Sequence, residues 1–287
     1  MKWANNAVKP LLWLVMAAAT NGCGWLLDSA TERFASGLQQ AVMAHSDPQT
    51  VVQALPAYLL ALEAALAKDA DNPDLLLTTA DLYNAYVGLI PDDPARKRRL
   101  TQKTFTLLQQ GLCRQGSAWC DFPKHSAERL QARVAEAEVA ELENLYRIGT
   151  IWAAWIQARS DDWNAVAGLA AVKAVMLRVV ELQDDYQQGK AHAYLAVMES
   201  LLPEALGGHP ELAKQHFVRA LQLAPDNQMF AVLYAKHYAR MAFDRDLHDN
   251  LLKKVLSTQI DKPDLNLVNA LAQQQAQQLL DSADDYF

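Results

Sequence analysis

The sequence predicts an all-α protein made of stacked helix pairs, and two observations support this fold class. Alanine, leucine and glutamine are abundant, runs of β-branched residues are scarce, and 51% of the 287 residues are hydrophobic, which favours helices around a packed interior. In residues 209–227, HPELAKQHFVRALQLAPDN, one helical face carries Ala213, Phe217 and Ala220, and the pattern ends at Pro225. This Ala-x3-Phe spacing with a closing proline is typical of the second helix of a tetratricopeptide repeat.

Residues 1–22 are predicted to be a lipoprotein-type signal peptide rather than part of the folded domain. They carry two lysines, no acidic residue and an apolar run from Leu11 to Ala19. As a helix this run is about 14 Å long, which is too short for a hydrocarbon core of about 30 Å. Gly22 directly before Cys23 resembles the lipoprotein signal, so we expect Cys23 to be lipidated. The alternative is an ordinary cleaved signal followed by an incidental cysteine.

Helical patterns then fill the N-terminal half of the chain in order. Residues 24–45 alternate apolar and polar groups with the helical period. Residues 49–74 carry apolar and small side chains at the offsets of a repeat's second helix. Ala80 and Tyr83 follow at the small and aromatic positions of the next first helix, and residues 92–112 predict a helix of a degenerate repeat.

A short loop after these helices carries the other two cysteines. Cys113 and Cys120 bracket CRQGSAWC, with Gly116 and Ser117 at the tip of the turn. Because an exported protein meets an oxidising compartment, we predict a disulfide between them. The chain-entropy model gives such a short loop about 2.5 kcal/mol of stabilisation. A zinc site is disfavoured because the spacing is not that of a C-x2-C knuckle and no histidine pair lies nearby.

The middle of the chain shows the repeat most clearly. Residues 145–152, LYRIGTIW, match the W-x2-L-G-x2-Y spacing of a repeat's first helix, with Trp152 as the closing aromatic residue. The segment SDDWNAVAG follows, in which Ser160 or Asp161 is predicted to cap the next helix.

The C-terminal part continues the pattern to the end of the sequence. Ala235 and Tyr238 again occupy the small and aromatic positions, and residues 246–256 and 263–280 predict closing helices. No segment shows the period-two alternation of a β-strand. We therefore expect a single helical, tetratricopeptide-like domain over residues 23–287, with about eleven or twelve helices including extra terminal ones.

Charge and motifs exclude several functional classes. The net charge of −7 leaves no basic stripe for nucleic acid, and RKRR at residues 96–99 is interpreted as a solvated helix face. The sequence has no P-loop, G-x-S-x-G, H-E-x-x-H or dinucleotide glycine motif, and no two of its seven histidines lie at i, i+4. Adjacent aspartates at the predicted helix boundaries suit capping. We expect no enzyme, no catalytic residue, no metal and no cofactor.

Three tryptophans form the candidate ligand site. Trp152, Trp155 and Trp163 fall around one predicted helix–helix turn. Core packing is one interpretation, and lining of a ligand cavity is the other. Trp152 occupies the buried aromatic position of the repeat, whereas Trp155 lies beside that stripe and is the better candidate to face a cavity.

Four segments together resemble the TatT family, the T components associated with TRAP (tripartite, ATP-independent, periplasmic) transporters; they are NLYRIGTIWAAWIQARSDDWNAVAGL, LLPEALGGHPELAKQHFVRAL, VLYAKHYARMAFDRDLHDNLL and NALAQQQAQQLLDSADDYF. The resemblance implies a bacterial periplasmic lipoprotein with a tetratricopeptide-like fold. It also implies pairing with the P component, which is the solute-binding receptor, a homotrimeric assembly, and a pore or apolar cavity that takes hydrophobic ligands. It transfers no catalytic or binding residue.

The sequence thus predicts a transport accessory that binds a receptor and a hydrophobic small molecule. Gly24 replaces the aspartate that retains lipoproteins at the inner membrane in enteric-type sorting, so we expect the anchor in the outer membrane. The alternative from another class is an envelope assembly scaffold with helical repeats that handles no solute.

Overall fold

The fold is seen in a computed structural model that describes residues 37, 40–91, 93–201, 204 and 208–287. Within these ranges there is no β-strand, and the predicted all-α fold class is confirmed. The predicted signal peptide and the lipidation site Cys23 lie outside the described residues. Residues 40–44 are helical and precede the first helix with complete bounds.

Twelve α-helices follow in the described part of the chain: α1 (Pro48–Leu66), α2 (Pro73–Leu89), α3 (Pro94–Arg114), α4 (Ala127–Ala135), α5 (Leu142–Gln157), α6 (Trp163–Val166), α7 (Leu169–Leu182), α8 (Lys190–Glu199), α9 (Pro210–Leu223), α10 (Gln228–Leu233), α11 (Arg245–Ser257) and α12 (Asn266–Asp281). Helix α10 continues directly into a π-helical turn over Tyr234–Ala239. Short 3₁₀ turns are placed at Phe122–Lys124, Val139–Glu141, Tyr186–Gly189 and Ala283–Asp285.

The first three helices begin in the same way. Asp47, Asn72 and Asp93 each stand before a proline, and each side chain accepts a backbone N–H of the following turn. Proline suits the first helical position because its missing N–H has no intrahelical partner there. The cap satisfies one of the free N–H groups, which is worth about 1 kcal/mol.

The cap of α6 differs from the sequence prediction. Asp162, rather than Ser160 or Asp161, is the capping residue, and its Oδ1 accepts the backbone N–H of Asn164 at 2.9 Å. Asp161 instead forms an ion pair with Arg98 on α3. The prediction was one residue early because periodicity locates a helix start only to within a residue or two.

Helices that follow each other in the chain mostly pack against each other. Helix α2 packs on α3, α3 on α5, α5 on α7, α7 on α8, and α8 on α9, while α10 and its π-helical turn pack on α11 and α12. Helix α12 also contacts α1, and Asn266 Nδ2 donates to the carbonyl of Ala44 at 3.1 Å. The last helix is therefore joined to the first. The assignment of these pairs to the tetratricopeptide type stays a prediction.

Small residues set the closest approaches between helices. A Cβ atom on Gly149 of α5 would lie 2.6 Å from the Met176 side chain of α7, so any larger residue there would force the end of that side chain to move. Ala213, Phe217 and Ala220, the stripe noted in the sequence, are fully buried, and the Phe217 ring stacks on Tyr234 at 4.9 Å. The stripe is therefore a packing surface, as predicted.

Helix α1 is the one helix in the described ranges that is long and apolar enough to cross a membrane, judged by length and composition alone. Core helices of soluble proteins meet the same criterion. Val51, Leu55 and Leu59 of α1 are buried in the main hydrophobic cluster, whereas Leu60 is 66% exposed. One face of α1 thus belongs to the packed helical array.

Candidate functional site

Trp152 is a core residue, as the repeat pattern predicted. Its side chain is 9% exposed, and its ring lies 5.2 Å from that of Phe122 in an edge-to-face arrangement. Gly168, just before α7, packs directly against the indole, since a Cβ there would lie 3.2 Å from two of its ring atoms. These contacts tie α5 to the 3₁₀ turn between α3 and α4 and to the start of α7.

Trp155 is packed against α3. Its Nε1 donates to Gln102 Oε1 at 2.9 Å, and its ring lies 5.5 Å from that of Phe105. The guanidinium of Arg159 stands 4.4 Å from the ring centroid and also donates to Gln102 and Thr101. The half-buried indole is therefore held by neighbouring side chains of the protein.

Trp163 does not join the other two tryptophans. It is the first residue of α6 and is 87% exposed. The structure thus brings Trp152 and Trp155 together through their shared contact with Phe105 and leaves Trp163 at the surface.

The loop between Cys113 and Cys120 is joined by a disulfide in the structure, with the two Cα atoms 4.3 Å apart. Gly116 at its tip has a φ of +67°, a conformation that favours glycine. Trp119 within the loop is fully buried, and its Nε1 donates to Glu141 Oε1 at 2.9 Å. The loop is therefore anchored by a tryptophan that the repeat pattern did not single out.

A polar group at the junction of α2 and α5 was not found by sequence reasoning. Arg147 Nε donates to both carboxylate oxygens of Asp81 at 3.0 and 2.9 Å. The other guanidinium nitrogens donate to Glu143 at 2.7 Å and Asn144 at 3.1 Å. Next to this network, Gln115, Glu143, Asn144 and Arg147 help to line a half-open depression of about 240 Å³.

Asp81 is an exposed residue of α2 that is held by Arg147. Its side chain is 47% exposed, yet loss of hydration to the surrounding protein raises its pKa above the ordinary value. That effect outweighs the attraction of Arg147, which lowers the pKa.

Three tyrosines and a lysine extend this polar group toward α8. The rings of Tyr146 and Tyr186 meet at 5.4 Å, and burial raises the pKa of Tyr146, with smaller contributions from Tyr194, Tyr186 and Asp81. Lys190 lies one turn before Tyr194 on the same face of α8, and burial lowers its pKa. We group these residues, which come from α2, α5, the turn before α8 and α8 itself, under the name central polar site; they are Asp81, Tyr146, Arg147, Tyr186, Lys190 and Tyr194.

The turn between Tyr186 and Lys190 has an unusual backbone. Gln187, Gln188 and Gly189 have φ angles of 51°, 60° and 73°, so three consecutive residues are left-handed. Such conformations cost about 1–2 kcal/mol for each non-glycine residue and are kept only where the surroundings enforce them. Glycine is favoured at position 189 by the positive φ and also by space, because a Cβ atom there would lie 2.6 Å from the Leu223 side chain.

A histidine pair lies beside the central polar site, between α8 and α9. The Nδ1 atoms of His192 and His216 are 2.8 Å apart, and His192 Nε2 lies 2.9 Å from Asp184 Oδ1. Arg219 binds Asp184 and is the main cause of the lowered pKa of that carboxyl, so Asp184 is an ionised acceptor. His192 Nε2–H then donates to Asp184, and His216 Nδ1–H donates to His192.

These groups can bind a small molecule. The central polar site offers aromatic faces, tyrosine hydroxyls and two cations, but it contains no serine, cysteine or histidine nucleophile. In the described ranges, no cluster of three or more histidine, cysteine, aspartate or glutamate side chains is arranged to hold a metal ion. Lys190 has no hydrogen-bonded or ion-paired side chain among the described residues, so its charge is available to an acidic group.

The sequence model of the family described as TRAP transporter T-component matches residues 44–287. Comparison with curated proteins gave no match.

Proposed function

The chain belongs to the TRAP transporter T-component family, and we propose that within such a transport system it binds the solute-binding receptor, the P component. Family membership implies an accessory role in a TRAP system and an envelope location, in a family that is not known for enzymes. The observation that carries the proposal is the extent of the match, which spans all twelve helices of the array. Packed helix pairs provide extended surfaces suited to a protein partner.

The proposed ligand is a hydrophobic small molecule with an acidic group, bound at the central polar site. The faces of Tyr146 and Tyr194 suit its apolar part. Lys190 suits an acidic group because the pKa of this lysine is already lowered by burial, and a nearby anion would relieve the unfavourable burial of its charge. Trp155 is a weaker candidate than these residues because its indole is already in contact with Phe105 and Arg159.

The proposed location is the periplasm, with a lipid anchor at Cys23 in the outer membrane after removal of residues 1–22. Several buried acyl chains hold a protein to a membrane far more firmly than a single chain does. A homotrimer is the proposed assembly. These three statements rest on the sequence and on family membership.

The proposed function is tested by purifying the mature full-length protein from the periplasm with its partners. Mass spectrometry is expected to find the solute-binding receptor of the same transport system enriched with it. Enrichment of many unrelated envelope proteins without the receptor would favour the assembly-scaffold alternative.

The ligand proposal is tested with palmitate as the probe. Lys190→Met keeps the length of the side chain and removes its charge, so we expect weaker palmitate binding by calorimetry. Lys236→Met changes an exposed lysine on the π-helical turn and is the matched control. Equal palmitate binding by all three proteins would exclude Lys190 from the site.

A further inference from the structure

An exposed aromatic patch is present where the turn before α11 meets residues 286–287. It consists of Phe243, Tyr286 and Phe287, and we call it the Phe243 patch. Phe243 is 69% exposed and Tyr286 is 44% exposed. The Phe243 ring lies 6.1 Å from that of Tyr286 and 5.8 Å from that of Phe287. The arrangement holds two large apolar rings in solvent side by side.

The backbone at Phe243 shows that folding alone does not favour this residue. Phe243 has a φ of +57°, and the next N–H, that of Asp244, bonds back to the carbonyl of Ala239 at 2.8 Å. This is the geometry of a helix end at which glycine is the favoured residue. The chain instead places there a bulky side chain that is mostly exposed. A residue that goes against the conformational preference of its position, without a gain in packing, is expected at a functional site.

The surroundings of the Phe243 patch are acidic. Asp244 and Asp246 follow Phe243 in the chain, Asp284 and Asp285 precede Tyr286, and all four side chains belong to exposed residues. Two arginines lie in the same region; Arg245 pairs with Asp284, and Arg240 stands 4.8 Å from the centroid of the Tyr286 ring. The four aspartates exceed the two arginines by two, so the rim of the patch is negative.

The negative rim indicates what kind of partner the Phe243 patch would bind. Two copies of the patch facing each other about a twofold axis would bring the acidic rims together, and like charges across such an interface are unfavourable. A partner with lysine and arginine side chains gains in two ways, because its cations pair with the exposed Asp246 and Asp285 and also stack on the exposed Phe243 ring.

We propose that the Phe243 patch is the docking surface for a basic region of the solute-binding receptor. The inference rests on the proposed function and adds which residues of this chain contact the receptor. Phe243 and Tyr286 are the anchors of the contact, and the aspartates give it salt dependence.

The test measures the affinity of the mature full-length protein for the purified receptor of the same transport system. Phe243→Gly removes the exposed ring and supplies the residue that the positive φ favours, so its thermal stability should equal or exceed that of the wild type. Its receptor affinity should fall by about tenfold or more, as for an aromatic anchor of an interface. Asp285→Lys, which reverses an exposed charge, should also weaken binding, and the wild-type affinity should fall as salt is raised.

Two matched controls separate the patch from general surface effects. Trp163→Ala removes another exposed aromatic ring, and Asp261→Lys reverses another exposed charge, so both should bind like the wild type. If the wild type binds the receptor and the two patch variants bind equally well, the patch is not the docking surface and the proposed function still stands. Failure of the wild type to bind overturns both. If Phe243→Gly changes the sedimentation of the protein alone, the patch is a contact between copies and the inference is wrong.

Discussion

The three tryptophans of the candidate site should differ strongly in what their removal costs, although all lie within twelve residues of each other. The perturbation is a series of single substitutions: Trp152→Ala, Trp155→Ala, Trp155→Phe and Trp163→Ala. The structure makes the three environments distinct, because one indole is buried, one is half-buried and bonded, and one is exposed.

The expected magnitudes follow from the contacts. Trp152→Ala removes a ring that is 9% exposed and packed on Phe122, which should cost about 3–5 kcal/mol of unfolding free energy. Trp155→Ala loses one hydrogen bond, one aromatic contact and one cation–π contact, which together amount to about 2–3 kcal/mol. Trp163→Ala changes a side chain that is 87% exposed and should stay within about 0.5 kcal/mol of the wild type.

The assay is urea unfolding at pH 7.5 followed by circular dichroism, which still reports helix content when a tryptophan is removed. Trp155→Phe is the matched control, since it keeps an aromatic ring near Phe105 and Arg159 but cannot donate to Gln102. It should lose about 1 kcal/mol, the usual worth of one hydrogen bond. Equal losses for Trp152→Ala and Trp155→Ala would refute the distinction between them, and a loss above about 2 kcal/mol for Trp163→Ala would show that this residue is not exposed.

Three further predictions concern the histidine pair, the loop disulfide and the anchor. Burial and the neighbouring His192 lower the pKa of His216 below its ordinary value of 6.5, so the unfolded chain takes up a proton first as the pH falls. The stability that neutral His216 contributes should be complete above about pH 6.5 and be lost as the pH falls through the lowered pKa. Thermal melts of His216→Gln should not show this pH-dependent loss of stability. Alkylation of protein isolated from the periplasm under non-reducing, denaturing conditions should find Cys113 and Cys120 blocked, and the Cys113→Ser variant should lose about 2.5 kcal/mol, whereas two free thiols would contradict the disulfide. Cys23→Ala should move the protein from the membrane fraction to the soluble periplasmic fraction, and recovery of both proteins from the membrane would contradict lipidation.

The sequence was most informative where the physical cause is local. The stripe of Ala213, Phe217 and Ala220 identified a buried helix face, because side chains four and seven residues apart share one face of any α-helix. The all-α class followed in the same way from composition and period. The sequence predicts Ser160 or Asp161 as the cap of α6, whereas the structure has Asp162. The difference arises because the helix boundary depends on which side chain reaches the free N–H groups.

The candidate site was less accessible to sequence reasoning because it is assembled from several helices. Arg147 and Asp81 are 66 residues apart, and their contact depends on how α2 and α5 are rotated about their axes. From the sequence alone, Arg147 and Asp81 each have the pattern of an ordinary polar residue on an exposed helix face. The left-handed turn before Lys190 carried one signal, the glycine at 189, but two glutamines with positive φ have no sequence signature.

By itself, the sequence determined that this chain forms helices, which faces they bury and to which family it belongs, because periodicity and motif spacing are properties of the chain alone. The tertiary structure decided that Trp163 is exposed to solvent while Trp152 is buried. It also decided that His192 of α8 and His216 of α9 are in contact where these two helices pack together. The physical reason is that exposure and contact depend on the relative positions of helices, which are set by many packing interactions between residues distant in sequence.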